Sequence, residues 1–93
     1  MEKLSEHEIE TYLKGLNNWS FLYNEIQKNF VFPNFMEAIN FVNKIANLAE
    51  EKNHHPDIKI FNYRNVTISL ATHSVGGVTK KDIDLAKAID LIY

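Results

Sequence analysis

Along this 93-residue chain the spacing of apolar residues switches repeatedly between the period of a helix and that of a strand, which limits the folds open to it. Ser5 and Glu8 have capping-box spacing, and Ile9, Tyr12, Leu13 and Leu16 follow at i, i+3, i+4 and i+7, predicting a short amphipathic helix. Asn17-Asn18 breaks it. Trp19, Phe21 and Tyr23 then alternate, and Ile26, Lys28, Phe30 and Phe32 continue a second period-two run beyond Asn24-Glu25, as in a hairpin. Pro33 stops that strand and Asn34 caps a long helix with an apolar face of Phe35, Ala38, Ile39, Val42, Ile45, Ala46 and Ala49. This helix should end near Lys52-Asn53, because Pro56 disfavours helical geometry in the residue before it.

Two further runs, Ile58 to Tyr63 and Val66 to His73, are rich in β-branched and aromatic residues and separated by Arg64-Asn65, predicting a second hairpin. Thr79 and Asp82 open a last helix with Leu85, Ala86, Ile89 and Ile92 on one face. The order is α-β-β-α-β-β-α. Each hairpin pairs locally and each helix needs an apolar surface to cover. The expectation is an α+β protein: one domain over residues 1–93, a four-stranded antiparallel sheet, and helices packed on one face.

Hydrophobic residues make up 45% and charged residues 24%, enough apolar material for one core and too short a chain for two. A net charge of -2 supplies no basic field to neutralise a phosphate backbone, which disfavours direct nucleic-acid binding. The absence of cysteine excludes disulfides, thiolate metal sites and a cysteine nucleophile. No apolar stretch reads as a signal peptide or membrane span, so a cytoplasmic location is the expectation.

Three of the four histidines fall within 20 positions: His54 and His55 in the run His54-His55-Pro56-Asp57, and His73 in Thr72-His73-Ser74, before Gly76-Gly77. Imidazole exchanges protons near neutral pH, which points to acid-base chemistry. Adjacent His54 and His55 must point in different directions. The second hairpin can return His73 to the same sheet edge, so that one pocket contains all three. Parity agrees: Val66, Ile68 and Leu70 share one strand face, and Thr67, Ser69 and His73 the other. The plainer alternative is three surface or capping histidines close by coincidence. His7 reads as a surface residue, and Trp19 and the phenylalanines as core. Gly76-Gly77 is a turn, without the spacing of a phosphate-binding loop.

Several of these runs together resemble the pterin-4a-carbinolamine dehydratases: Glu50, His54-His55-Pro56-Asp57, Thr72-His73-Ser74-Val75-Gly76-Gly77, and Asp82-Ile83-Asp84-Leu85-Ala86, with Trp19 and the spaced Phe30, Phe32, Phe35 and Phe41. The resemblance extends over nearly the whole chain and shares its element order. It implies a lyase that eliminates water from a 4a-hydroxytetrahydropterin to give the quinonoid dihydropterin, recycling a tetrahydrobiopterin-type cofactor without metal or organic cofactor. Hydroxide leaves only when protonated, while a ring nitrogen must lose its proton, and histidine suits either task.

By that pattern the catalytic residues are His54 and His73, as an acid-base pair with the two roles unassigned, and His55, which orients the ring. The substrate contacts implied are Glu50, His54, His55, Pro56, Thr72, His73, Ser74, Val75 and Asp82. Asp82 would hold His73 in one tautomer, or cap the last helix, or both. Glu50 would meet a pterin amide or amino edge, or be a solvated last-turn residue. Lys81 replaces a basic position and reads as solvated. The partners implied are a small-molecule pterin and further copies of the chain, as homodimer or homotetramer, with no nucleic acid and no membrane.

The chain departs from the family pattern in three places. Asn53 stands where many members have an aspartate. Ile58 replaces a tryptophan of animal members. The stretch between the paired histidines and His73 is one residue longer, an excess placed near Phe61-Asn62 or in the turn, since an extra strand residue would reverse every later side chain. Two other function classes fit parts of the pattern. A zinc or nickel site from these histidines with Asp82 lacks metal-type spacing. A non-catalytic pterin-binding or dimerisation module would use the same fold.

Overall fold

The computed structural model describes residues 2–93, and in it the elements follow the predicted order. They are α1 (Glu6–Leu13), β1 (Ser20–Leu22), β2 (Glu25–Val31), α2 (Phe35–Lys52), β3 (Asp57–Phe61), β4 (Asn65–Leu70) and α3 (Lys80–Ile92), with a 3-10 turn at His73–Val75. The helix starts are capped as the sequence indicates. The Ser5 hydroxyl accepts from Glu8 N–H at 3.1 Å while Glu8 accepts from Ser5 N–H at 2.9 Å, and the Asn34 side chain accepts from Glu37 N–H at 2.9 Å.

The four strands form one antiparallel sheet in the order β1-β2-β4-β3. Strand alternation sends Ile26, Phe30, Val66, Ile68 and Leu70 to the covered face. There they meet Ile9 of α1, Ala38, Phe41 and Ile45 of α2, and Ile83, Leu85, Ala86 and Ile89 of α3, which is the α+β arrangement expected. Trp19 is core as predicted, and its indole N–H donates to Asp90 at 3.0 Å. Lys28, on the inward face of β2, donates to the other Asp90 oxygen at 2.8 Å and lies over the Phe30 ring. A buried cation thus has both a carboxylate and an aromatic face.

Four expectations are corrected. The first turn is Tyr23-Asn24 rather than Asn24-Glu25: Leu22 pairs with Glu25, and both loop residues have positive φ, 52° and 62°, the twist a two-residue hairpin needs. The second turn lies at residues 62–64, because Phe61 pairs with Asn65 in an unbroken register from Asp57↔Ser69; the strands carry no bulge, so any extra residue belongs to the turn. On α2 the buried line is Ala38, Phe41, Ile45 and Ala49, with Phe35 and Ala46 exposed. The helix carries two neighbouring apolar stripes, and Phe41, packed 4.8 Å from Phe30 and 4.9 Å from Phe32 between ring centroids, decides which faces the core. Finally, β4 ends at Leu70. Thr72 bridges back to Gly77, with Thr72 N–H donating to the Gly77 carbonyl at 2.8 Å, so His73 opens a closed loop instead of ending the strand.

Candidate functional site

The end of α2, the end of β4 and the start of α3 converge, and each contributes side chains to one cavity. The end of α2 is set by Asn53, whose left-handed conformation (φ 50°) reverses the chain. Its N–H donates to the Glu50 carbonyl and His54 N–H reaches back to the Ala49 carbonyl at 3.0 Å, closing the helix and fixing where the paired histidines begin. Asparagine, like aspartate, adopts this conformation more readily than most non-glycine residues, so the conformation does not account for the departure from the family's aspartate.

His54 and His55 then diverge. His54, nearly buried, points its Nε2 to Asp82 at 2.5 Å, while the exposed His55 pairs through Nε2 with Glu50, also at 2.5 Å. Asp82 has no solvent exposure and every one of its partners is polar. One oxygen meets His54; the other accepts from the Thr72 hydroxyl at 2.9 Å and from Thr79 N–H at 2.9 Å. The hydroxyls of Thr72 and Thr79 lie 2.8 Å apart. Asp82 therefore caps α3 and engages a histidine at once. The histidine is His54, not His73 as expected, because the Thr72–Gly77 bridge turns His73 outward. A carboxylate only accepts, so neutral His54 carries its hydrogen on Nε2, which leaves Nδ1 as the unprotonated ring nitrogen.

The cavity, about 290 Å³, is lined by Asn53, His54 and His55 on one side, residues 71–74 on another, and Lys81. All three clustered histidines, Thr72 and Ser74 thus meet at one place. Glu50 joins it only through His55, Asp82 stands behind His54, and Pro56 and Val75 are half-buried outside the lining. Lys81, which reads as solvated in the sequence, belongs to the lining; its position one residue before Asp82 on a capped helix was the available signal. Ile58 lines a separate depression with Asp57 and Lys59 on the open sheet face. Among the described residues no group of three or more histidine, aspartate or glutamate side chains is placed to hold one metal ion. None of their helices is long and apolar enough to cross a membrane.

By fold and site this is an α+β protein with one helix-backed antiparallel sheet and a histidine-lined cavity anchored on a buried carboxylate. The chain belongs to the pterin 4 alpha carbinolamine dehydratase family, a family of hydro-lyases, whose model matches residues 2–92. It is 47% identical over 90 residues to a putative pterin-4-alpha-carbinolamine dehydratase of Sulfurisphaera tokodaii, covering 97% of this chain and 96% of that one. A protein of the same description from Roseiflexus sp. is 52% identical over 90 residues, with the same coverage. A crystal structure of a transcriptional coactivator/pterin dehydratase from Brucella melitensis superposes with a TM-score of 0.92 at 34% identity, covering 98% of both chains. A pterin dehydratase-like protein described as a RuBisCO assembly factor in the alpha-carboxysome shares the fold at a TM-score of 0.67 and 23% identity, over 82% of this chain and 89% of that one.

Proposed function

We propose that this chain dehydrates a 4a-hydroxytetrahydropterin to the quinonoid dihydropterin by histidine acid-base catalysis, recycling a tetrahydrobiopterin-type cofactor. The observation that supports it best is that His54 and His73, distant in sequence, line one cavity with a buried Asp82 behind His54. In the reaction the bond from C4a to the hydroxyl oxygen breaks as that oxygen takes a proton and leaves as water. N5 gives up its hydrogen, and the electron pair left behind forms the N5–C4a double bond. His54 and His73 divide these two transfers. Asp82 fixes the ring nitrogen His54 offers and stabilises the imidazolium when it forms, as a buried carboxylate does behind a catalytic histidine. His55, held by Glu50, orients the ring, and Thr72 and Ser74 supply polar groups to its edge.

The reading takes no metal or organic cofactor, a cytoplasmic setting, and self-association as homodimer or homotetramer. Apolar residues exposed on α2, Phe35 at 48% and Met36 at 62%, offer surface for the last of these. The test is the rate of loss of a 4a-hydroxytetrahydropterin generated in situ, with chelator-treated protein and with a His54→Ala, His73→Ala double variant. Acceleration by the former and none by the latter is expected. A folded wild type that gives no acceleration overturns the reading in favour of a non-catalytic module.

A further inference from the structure

Thr79, the residue before α3, has no solvent exposure and does not line the histidine cavity, yet its hydroxyl lies 2.8 Å from that of Thr72. The hydrogen positions between them follow from the carboxylate. Asp82 only accepts, so the Thr72 hydrogen is committed to its Oδ2 at 2.9 Å. Thr72 therefore cannot donate to Thr79, and the 2.8 Å contact is a bond that Thr79 donates. The Thr79 oxygen in turn accepts from Lys81 N–H at 3.3 Å. Donation thus runs one way, from the Lys81 backbone through Thr79 and Thr72 to Asp82, whose other oxygen faces His54. Among the described residues no buried side-chain oxygen or nitrogen is without a partner. Aligned donors of this kind strengthen one another.

We propose that Thr79 is a positioning residue for the histidine pair: its hydroxyl ties the segment that carries Asp82, and through it His54, to the segment that carries His73. The proposal rests on the dehydratase reading above. Thr72 immediately precedes His73, and two bonds clasp the loop at its base, one from Thr72 N–H to the Gly77 carbonyl and one from the Thr79 hydroxyl to that of Thr72. Asp82, in the first turn of α3, accepts Thr79 N–H on the same oxygen that takes Thr72. Both histidines are thus located from one buried triangle of Thr72, Thr79 and Asp82. An acid and a base acting on neighbouring atoms of one substrate must keep their separation, and a misplacement of about 1 Å can cost about 10²-fold in rate. A valine at position 79 would set a methyl group where the hydroxyl now lies 2.8 Å from the Thr72 oxygen. Carbon meets oxygen at roughly 3.3 Å or more, so Thr72 must shift.

The test measures kcat and KM for a 4a-hydroxytetrahydropterin generated in situ, together with the proton NMR resonance of the His54 Nε2–H, identified by its loss in His54→Gln. Wild type, Thr79→Val and Thr79→Ser are compared. Thr79→Val should lower kcat by about 10- to 100-fold with KM within about threefold, and should move the resonance upfield. Thr79→Ser keeps the hydroxyl and caps a helix at least as well, so it should leave both near wild type. If the valine variant does not fold, Thr79→Gly removes the hydroxyl at a position where glycine caps about as well as threonine, and the same losses are expected. A residue that only starts the helix would shift the unfolding midpoint and leave kcat and the resonance of the folded protein unchanged. That result overturns the proposal, as does a serine variant as impaired as the valine one. A wild type that does not dehydrate overturns the dehydratase reading, and the resonance then decides alone whether Thr79 acts on His54.

Discussion

Asp82, wholly buried in the first turn of α3, lies 2.5 Å from Nε2 of His54 across 28 positions of sequence. The same carboxylate accepts the Thr72 hydroxyl and the Thr79 N–H, so the residue that starts a helix also orients a candidate acid-base group. Asp82→Asn removes the charge and turns one acceptor into a donor with nearly unchanged volume. Turnover of a 4a-hydroxytetrahydropterin should fall between about 10² and 10⁴ in kcat, the range of a misdirected general acid or base. Unfolding should cost about 2 kcal/mol less, because at least one buried partner loses its acceptor. A kcat within threefold of wild type would exclude Asp82 as support for His54.

The exposed pair of His55 and Glu50 invites the opposite expectation. Both side chains are more than half exposed, 59% and 77%, so their attraction adds little to stability. Glu50→Gln should move the unfolding free energy by less than about 0.5 kcal/mol. Its effect should appear in KM, raised about threefold as His55 loses its fixed orientation, with kcat nearly constant. Steady-state kinetics beside a denaturant titration separates the two; a kcat loss matching that of Asp82→Asn would move His55 into the proton-transfer machinery.

Most of the architecture was legible because local signals carried it. Ser5, Asn34 and Thr79 cap where their spacing indicates, and the alternation of Val66, Ile68 and Leu70 assigns the covered face of β4. The histidine cluster was equally visible, since Pro56 and the second hairpin leave few ways to separate its members. What the sequence left open depended on contacts between distant residues. Phe41 rather than Phe35 faces the core because the rings of Phe30 and Phe32 wait there. Asp82 reaches His54 rather than His73 because the Thr72–Gly77 bridge turns the loop, a closure no local pattern announces. Lys28 belongs to the period-two run with Ile26, Phe30 and Phe32, but the partner of its charge, Asp90, lies 62 positions on, beyond the reach of any local pattern.

Acid should loosen the first helix. The Glu8 carboxyl is held below its ordinary range by the Ser5 backbone N–H first and the Ser5 hydroxyl second. A carboxyl with a lowered folded-state pKa contributes stability that is present above the unfolded value and lost as pH falls through the folded one. Glu8→Ala should therefore lower Tm at neutral pH, and the gap between variant and wild type should narrow as pH drops below the usual carboxylate range. Thermal unfolding followed by circular dichroism at several pH values checks this. A gap that stays constant down to strongly acidic pH would mean that the charge of Glu8 contributes nothing.

Lys28 and Asp90 present the case in which a charge pair governs stability without touching the histidine cavity. Their side chains are 7% and 16% exposed, and Asp90 also accepts the Trp19 indole N–H. Lys28→Met keeps the apolar stem but leaves Asp90 enclosed with one neutral donor in place of a cation. Breaking a buried pair from one side costs about 3 kcal/mol or more. For a domain of this length that corresponds to a fall in Tm of roughly 12 °C or more. Removing both charges, as Lys28→Met with Asp90→Asn, should recover part of the loss, since the carboxamide oxygen still accepts from Trp19 and no unpaired charge remains. Differential scanning calorimetry on the two single variants and the double variant measures the coupling directly; strict additivity would show that the pair does not act as a unit.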